Sequence, residues 1–393
     1  MTEVRTPHAG GGGRIHEVDV VRGFALAGIL VANIGFFADP GYAVNGTLPM
    51  PGGPVALVVT TLVLGKFYII FSFLFGYSFT LQMRSAERAG ASVRARTLRR
   101  CLGLFVIGVA HGVLLWIGDI LTLYAVLGLV LLALRGIRPR TAVVTGTVIV
   151  AVLALLWAGL AALSTLDPSA GQAPPADLAA AARSLALATG SPLDVLTLQL
   201  ELYPPLVAMV WIFQGPMALA MFLFGLAAGK ARVLEETGRW WHLARRVQWI
   251  GFGLGLPGGV LLAVTSSMPG MGELVGQAVS TVTSVPLAAA YVVTLLRVTR
   301  RFPAAGRALA PAGRVAASNY VGQSVLCCLV FTGYGLALAG RLSPLAVMGV
   351  ALAIYTFLLA LSAWWLRTHR YGPVEYVLRR VTNGAQATAA QRR

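Results

Sequence analysis

The sequence predicts an all-α, polytopic transmembrane helix bundle of about ten spans with both termini in the cytoplasm. Three observations predict it. The chain is 57% hydrophobic and only 11% charged, with a mean hydropathy of +0.76. Apolar runs long enough to cross a bilayer recur along its length. The basic residues fall on alternate connections between those runs. A water-soluble domain carries about 25% charged residues. The apolar surplus here requires lipid as the solvent for most of the chain.

Met1 to Gly13 form a polar, Gly-rich segment, read as a flexible tail. The run Gly10 to Gly13 is no phosphate loop, because no strand precedes it and no Gly-Lys-Ser/Thr follows. The first apolar run begins near Val18 and lacks a small-residue cleavage site, so it is expected to be a retained span. A span needs about 20 apolar residues to cross about 30 Å of hydrocarbon. Candidates lie near 18–38, 60–83, 99–116, 119–135, 141–163, 203–229, 247–265, 274–296, 315–339 and 345–366. The third and fourth are separated only by the stretch around Ile117-Gly118-Asp119, which predicts a tight helical hairpin. The first external loop, Asp39 to Pro54, is rich in Gly and Pro and expected to be irregular. The longest, from about Ser164 to Leu202, contains Ala-Pro-Pro-Ala and a candidate surface helix over Asp177 to Leu187. The domain reading is a cytoplasmic tail at 1–17, one transmembrane domain at 18–366 and a cytoplasmic tail at 367–393. The sequon Asn45-Gly46-Thr47 carries little weight in an Ala-, Gly- and Arg-rich composition that reads as bacterial.

Ten spans with the N-terminus inside place 27 of the 31 Lys and Arg residues on the cytoplasmic side. They cluster at Arg84 to Arg100, Arg135 to Arg140, Lys230 to Arg246, Arg297 to Arg314 and in the two tails. Only Arg183 and Arg341 fall outside, while Arg22 and Lys66 lie in or beside spans. The formal charge of +17 therefore reads as a topology signal. It has neither a continuous basic face nor an aromatic stacking pattern, which argues against nucleic acid. Cys101, Cys327 and Cys328 lie within apolar runs and read as small packing residues, with no disulfide framework and no metal site. Phe73-Leu74-Phe75-Gly76 is echoed at Phe222-Leu223-Phe224-Gly225, each before a basic loop. Repeats are common in transporters, but four residues among so many Leu and Phe read as coincidence.

Ionisable and polar groups within spans are costly and so become candidate sites. His111 follows Gly108-Val109-Ala110 in a very apolar helix, and the other histidines lie in tails or loops. A neutral imidazole there suits a general base. Asp119, eight residues on at the hairpin tip, suits the acid that orients it, provided the turn folds back. The competing account is a hydrogen-bonded core histidine and an aspartate capping the next helix. Asp19 and Arg22 share a helix face, as an ion pair or as an arginine presented to phosphate or carboxylate. Lys66 either snorkels or meets an anionic ligand. Asn319 and Gln323 share a face, for interhelical bonding or a substrate path. There is no His-Glu-x-x-His, Walker motif or Gly-x-Ser-x-Gly, which argues against a zinc hydrolase, an ATPase and a serine hydrolase.

The stretch Asp19-Val20-Val21-Arg22-Gly23 through Asn33 resembles the opening helix of the YeiB-like membrane proteins, a family of unknown function. The similarity continues through Lys66 to Gln82, His111 to Tyr124, Gly313 to Ser324 and Gly372-Pro373-Val374-Glu375-Tyr376. That family looks like a branch of the transmembrane acyltransferases, which pass an acyl group, usually acetyl from cytoplasmic acetyl-CoA, to an acceptor on the far side. Membrane O-acetyltransferases of this kind share an Asp-x-x-Arg-Gly start and carry a histidine eleven residues after the arginine. Here that position is Asn33, which cannot act as a base. The resemblance therefore implies His111 as the replacement.

The resulting expectation is an acyl-CoA-dependent membrane acyltransferase, with a transporter or exporter of a small metabolite as the alternative. His111 and Asp119 are the expected catalytic residues. Asp19, Arg22, Asn33, Lys66, Tyr124, Asn319 and Gln323 are the expected substrate contacts. Arg94, Arg99 and Arg100 are expected to hold the phosphates of acetyl-CoA or another acyl-CoA. The expected partners are the lipid bilayer, acyl-CoA and a small-molecule or glycan acceptor, with no nucleic acid, no metal and room for a homodimer. The expected location is the inner membrane of a bacterium.

Overall fold

The structure is a computed structural model describing residues 15–50, 52–166, 176–268 and 270–383. The Gly-rich tail, Pro174 and Pro175, and Arg5, Arg14, Arg392 and Arg393 lie outside the described residues. Among the described residues the regular structure is entirely helical. In chain order the helices are α1 (His16–Ala38), α2 (Gly41–Val44), α3 (Gly53–Leu62), α4 (Phe67–Arg88), α5 (Val93–Leu114) and α6 (Leu121–Ala133). Then come α7 (Pro139–Leu166), α8 (Leu178–Thr189), α9 (Pro192–Met209), α10 (Gly215–Lys230), α11 (Thr237–Trp240) and α12 (Ala244–Thr265). The last described helices are α13 (Met271–Arg301), α14 (Pro303–Arg314), α15 (Ala316–Phe331), α16 (Pro344–Trp365) and α17 (Pro373–Asn383).

This is an all-α, multi-pass membrane bundle. Among the described residues, eight helical stretches are long and apolar enough to cross a bilayer, α1, α5, α7 and α16 among them. Two further expected segments are shorter apolar helices, α6 and α15. Their shortness has a local cause. Residues near their ends are spent in loops that fold back into the bundle, as the site below illustrates. Large apolar side chains on α7, such as Leu155 at 70% exposure, face outward where lipid would cover them.

The connections sort to two ends of the bundle. At one end, Lys230 Nζ donates to the carbonyls of Arg135 and Ile137 (2.8 and 2.6 Å), and Arg84 pairs with Glu235. At the other, Gly340 N–H donates to Ala38 O, Gly333 N–H to Ala188 O and Asp177 N–H to Asn45 Oδ1, each at 2.8 Å. The first set joins segments read as cytoplasmic and the second joins segments read as external, with Ala38 at the end of the first expected span and Gly333 within the ninth, whose helix α15 stops at Phe331. The surface helix expected at Asp177 to Leu187 is present as α8, with Asp177 accepting from Ala180 N–H as its cap.

Two amphipathic helices were not anticipated. Helix α14 lies within the basic loop before α15 and crosses α1 closely, since a Cβ on Gly313 would fall 1.7 Å from Asp19 O. Helix α17 lies in the segment read as a plain C-terminal tail and lays Leu378 against Gly103 of α5. Both are rich in arginine, so charge alone suggested loop.

The Phe-Leu-Phe-Gly echo is a real contact. Helices α4 and α10 cross at the two motifs, with Phe75 and Phe222 stacked at 4.7 Å between centroids. A Cβ on Gly76 would meet Phe222 O at 2.1 Å, and one on Gly225 would meet Phe73 O at 2.0 Å. Each glycine thus seats the first phenylalanine of the other motif, the reciprocity expected of a local two-fold axis. The similarity extends further. Each motif follows an irregularity in a long helix, a break at residues 63–66 before α4 and the continuous π-helical segment Val210–Gln214 before α10. The close approach of glycine backbones is how membrane helices associate without a hydrophobic drive between them.

Candidate functional site

The site is built on the α5–α6 hairpin. His111 lies in the last turn of α5, and its carbonyl closes the helix by accepting from Leu115 and Trp116 N–H (both 2.9 Å). The chain then reverses through Gly118 and Asp119 into α6. One turn before His111, a Cβ on Gly108 would sit 2.7 Å from Thr122 N and 2.8 Å from Asp119 Oδ2. Only glycine leaves room for the loop to fold back onto α5. The sequence separation between His111 and Asp119 is closed by this approach.

His111 Nδ1 then lies 2.9 Å from Asp119 Oδ1, and Asp119 Oδ2 accepts from Thr122 N–H at 2.9 Å. The two accounts of Asp119 weighed from sequence were not alternatives. One oxygen caps α6 while the other orients the imidazole. On the far side of the ring, His111 Nε2 lies 2.8 Å from Ser324 Oγ. With Asp119 as a carboxylate, which only accepts, the bond between them takes the Nδ1 proton. Nε2 is then the acceptor and the Ser324 hydroxyl the donor. The array Asp119–His111–Ser324 has the connectivity of a catalytic triad, with both bonds in the range such groups use.

Helix α15 carries Ser324 and is held at both ends of its first turns. Glu375, from the start of α17, accepts from Ala317 N–H (2.7 Å), Ser318 N–H (3.2 Å) and the Ser318 hydroxyl (2.5 Å). A carboxylate at a helix N-terminus satisfies free donors and the helix dipole together. Asn319 Nδ2 donates to Ala312 O and Ser362 Oγ (3.1 and 2.8 Å), and Gln323 Nε2 donates to Leu26 O (2.9 Å). Both residues expected as substrate contacts therefore fasten α15 to its neighbours. The Tyr320 ring lies 4.9 Å from that of His111, tilted 43° to it. His111, Asp119 and Ser324 are 3%, 0% and 4% exposed. Nearby, the Trp116 indole lies over Gly118, and its N–H is buried with no acceptor among the described residues.

The other expected residues stand apart from this array. Arg22 binds Asp19 (3.3 Å) and Ser78 of α4. Asn33 is half-buried and makes no side-chain hydrogen bond among the described residues. Lys66 is fully buried at the break between α3 and α4, donating to Thr60 O at 3.0 Å. The Tyr124 hydroxyl meets Ser72 Oγ at 2.6 Å. Arg94 and Arg99 are exposed on the first turns of α5. Arg100 is half-buried, with its guanidinium 5.9 Å from the Phe75 centroid. Ser324 was missed from sequence. Its surroundings read Gly322-Gln323-Ser324-Val325-Leu326, with one glycine of the sought pattern. A triad is defined by geometry and not by such spacing.

Comparison with known proteins places the chain beside proteins without an assigned activity. A family described as "Protein of unknown function (DUF418)" matches residues 228–385. An uncharacterised protein of Bacillus subtilis (strain 168), YxaH, is 29% identical over 94% of both chains. An uncharacterised 39.9 kDa protein encoded in the amylase 3' region of Bacillus acidopullulyticus is 27% identical over 94% of both. The uncharacterised Escherichia coli (strain K12) protein YeiB is 25% identical over 95% of this chain and 97% of its own.

Proposed function

The chain belongs with the YeiB-like membrane proteins, and from that premise we propose that it is an acyltransferase working inside the bilayer. The observation that carries the reading is the buried Asp119–His111–Ser324 array. A neutral imidazole polarised by a buried carboxylate is the general base that acyl transfer to a hydroxyl or amine needs. The donor is an acyl-CoA, with acetyl-CoA the first candidate. The basic end of the bundle, with Arg94, Arg99 and Arg100 on α5, supplies the charge that CoA phosphates require. The acceptor is a hydroxyl or amine of a sugar, lipid-linked or natural-product molecule approaching from the opposite end. The membrane is the bacterial inner membrane, where the positive-inside rule orients the arginine clusters to the cytoplasm.

His111 Nε2 takes the acceptor's proton as its oxygen or nitrogen attacks the acyl carbon. Asp119 stabilises the imidazolium that forms. The developing oxyanion needs a donor, and the Trp116 N–H is one buried donor beside the hairpin that lacks an acceptor among the described residues. Asn33, whose side-chain amide makes no hydrogen bond among the described residues, is a second candidate for that role. The test is CoA release by the purified protein from acetyl-CoA with a glycan acceptor mixture. His111→Ala should slow it about 100-fold or more. Equal rates in both proteins would remove the reading.

Transport is the second reading, favoured by one observation. The α3–α4 stretch is broken between Leu62 and Phe67, and Lys66 is buried at the break. Broken helices mark substrate sites in secondary transporters. Solute flux without acyl-CoA, lost in Lys66→Met, would select it.

A further inference from the structure

We infer that Ser324 is the nucleophile of a double-displacement reaction, carrying the acyl group as an ester between its two half-reactions. This deepens the acyltransfer reading and rests on it.

Three features lead to Ser324. Its Oγ is 2.8 Å from His111 Nε2, within the distance at which an imidazole activates a hydroxyl. Nδ1 is committed to Asp119 Oδ1, so Nε2 holds the free lone pair and faces serine. The elements around it are also more constrained than a packing contact requires. Gln323, the preceding residue, is bonded to the α1 backbone; Tyr320, one turn earlier, packs its ring against the imidazole at a tilt; and Glu375 caps the helix N-terminus. A positioned nucleophile needs this kind of surrounding support. A direct transfer, with His111 acting on the acceptor alone, needs Nε2 open to the acceptor. Here that nitrogen is already occupied by a hydroxyl.

In the first half-reaction Ser324 Oγ attacks the thioester carbonyl carbon and its proton moves to His111 Nε2. The carbon–sulfur bond breaks, and the leaving CoA thiolate takes that proton, giving CoA-SH and acyl-Ser324. In the second, the acceptor O–H or N–H gives its proton to Nε2 as its oxygen or nitrogen attacks the ester carbon. The carbon–Oγ bond breaks, and Ser324 regains the proton. Asp119 serves both halves by stabilising the imidazolium. Water in place of the acceptor completes a hydrolysis, so exclusion of water from the closed site protects the intermediate.

The experiment has two arms on full-length protein in detergent. In one, acetyl-CoA is added without acceptor, CoA-SH is counted and tryptic peptides are mapped by mass spectrometry. The expected result is a burst of about one CoA per chain with acetyl on Ser324, absent in Ser324→Ala. In the other, a fluorophosphonate probe, which labels activated serines whatever the natural donor, is expected to label Ser324. His111→Ala should lower that labelling about 100-fold or more. Probe labelling of Ser324 with no CoA release from any acyl-CoA would retain the nucleophile and overturn the acyl-CoA donor. Acyl transfer that survives Ser324→Ala, or acetyl found on His111, would overturn the inference while leaving the acyltransferase reading intact. Absence of labelling at Ser324 in both arms would likewise overturn it.

Discussion

Asp119 bonds in two directions, and substitutions should separate them. Asp119→Asn keeps an oxygen for Thr122 N–H but offers His111 a neutral amide, which no longer fixes the Nδ1–H tautomer. The expected outcome is a protein of near-native melting temperature whose acyl transfer falls about 1,000-fold. Asp119→Ala removes both bonds and leaves a buried N–H and a buried imidazole nitrogen unpaired. It should lower stability by about 1–3 kcal/mol for each, read as a lower melting temperature in detergent. His111 and Asp119 were legible in the sequence because an ionisable group inside an apolar run is conspicuous. Ser324 was not, because a serine in a membrane helix is ordinary and its partner lies 213 positions away.

Helix α15 depends on a carboxylate from outside itself. Glu375→Ala frees the N–H groups of Ala317 and Ser318 and should cost about 1–2 kcal/mol. Because α15 carries Ser324, acyl transfer should fall in Glu375→Ala as well, while Glu375→Asp restores part of both. Stability and turnover measured on the same preparations check this. The Gly-Pro-Val-Glu-Tyr block was visible in the sequence as a resemblance only. Its physical meaning requires knowing that α17 returns to the start of α15. The α4–α10 crossing makes a second prediction at this scale. Gly76→Val places side-chain atoms where Phe222 O now lies, and should cost about 2 kcal/mol or more. The sign would be loss of a monodisperse peak in size-exclusion chromatography. Coincidence was the reading of the paired Phe-Leu-Phe-Gly motifs because composition alone makes such matches common. What distinguishes them is the reciprocal seating of each glycine, a three-dimensional property.

The bundle as a whole was legible wherever a run was long and evenly apolar. It was illegible at α14 and α17, where arginines on one helix face looked like loop. Sidedness is checked by single-cysteine variants, since Cys101, Cys327 and Cys328 are all buried and give little background. A membrane-impermeant maleimide should label Arg341→Cys in intact cells, and Arg88→Cys only after permeabilisation. Both positions are exposed. On the proposed function, a cytoplasmic basic end would meet the acyl-CoA pool and leave the opposite end to the acceptor. The claim tested most directly is that the buried array performs acyl transfer. Release of CoA thiol from acetyl-CoA, measured for wild type and His111→Ala at equal protein and in one lipid, is the decisive measurement. Release by the wild type, slowed about 100-fold or more by the substitution, is the predicted result. Equal release from both proteins, or solute flux with no acyl-CoA consumed, would contradict it.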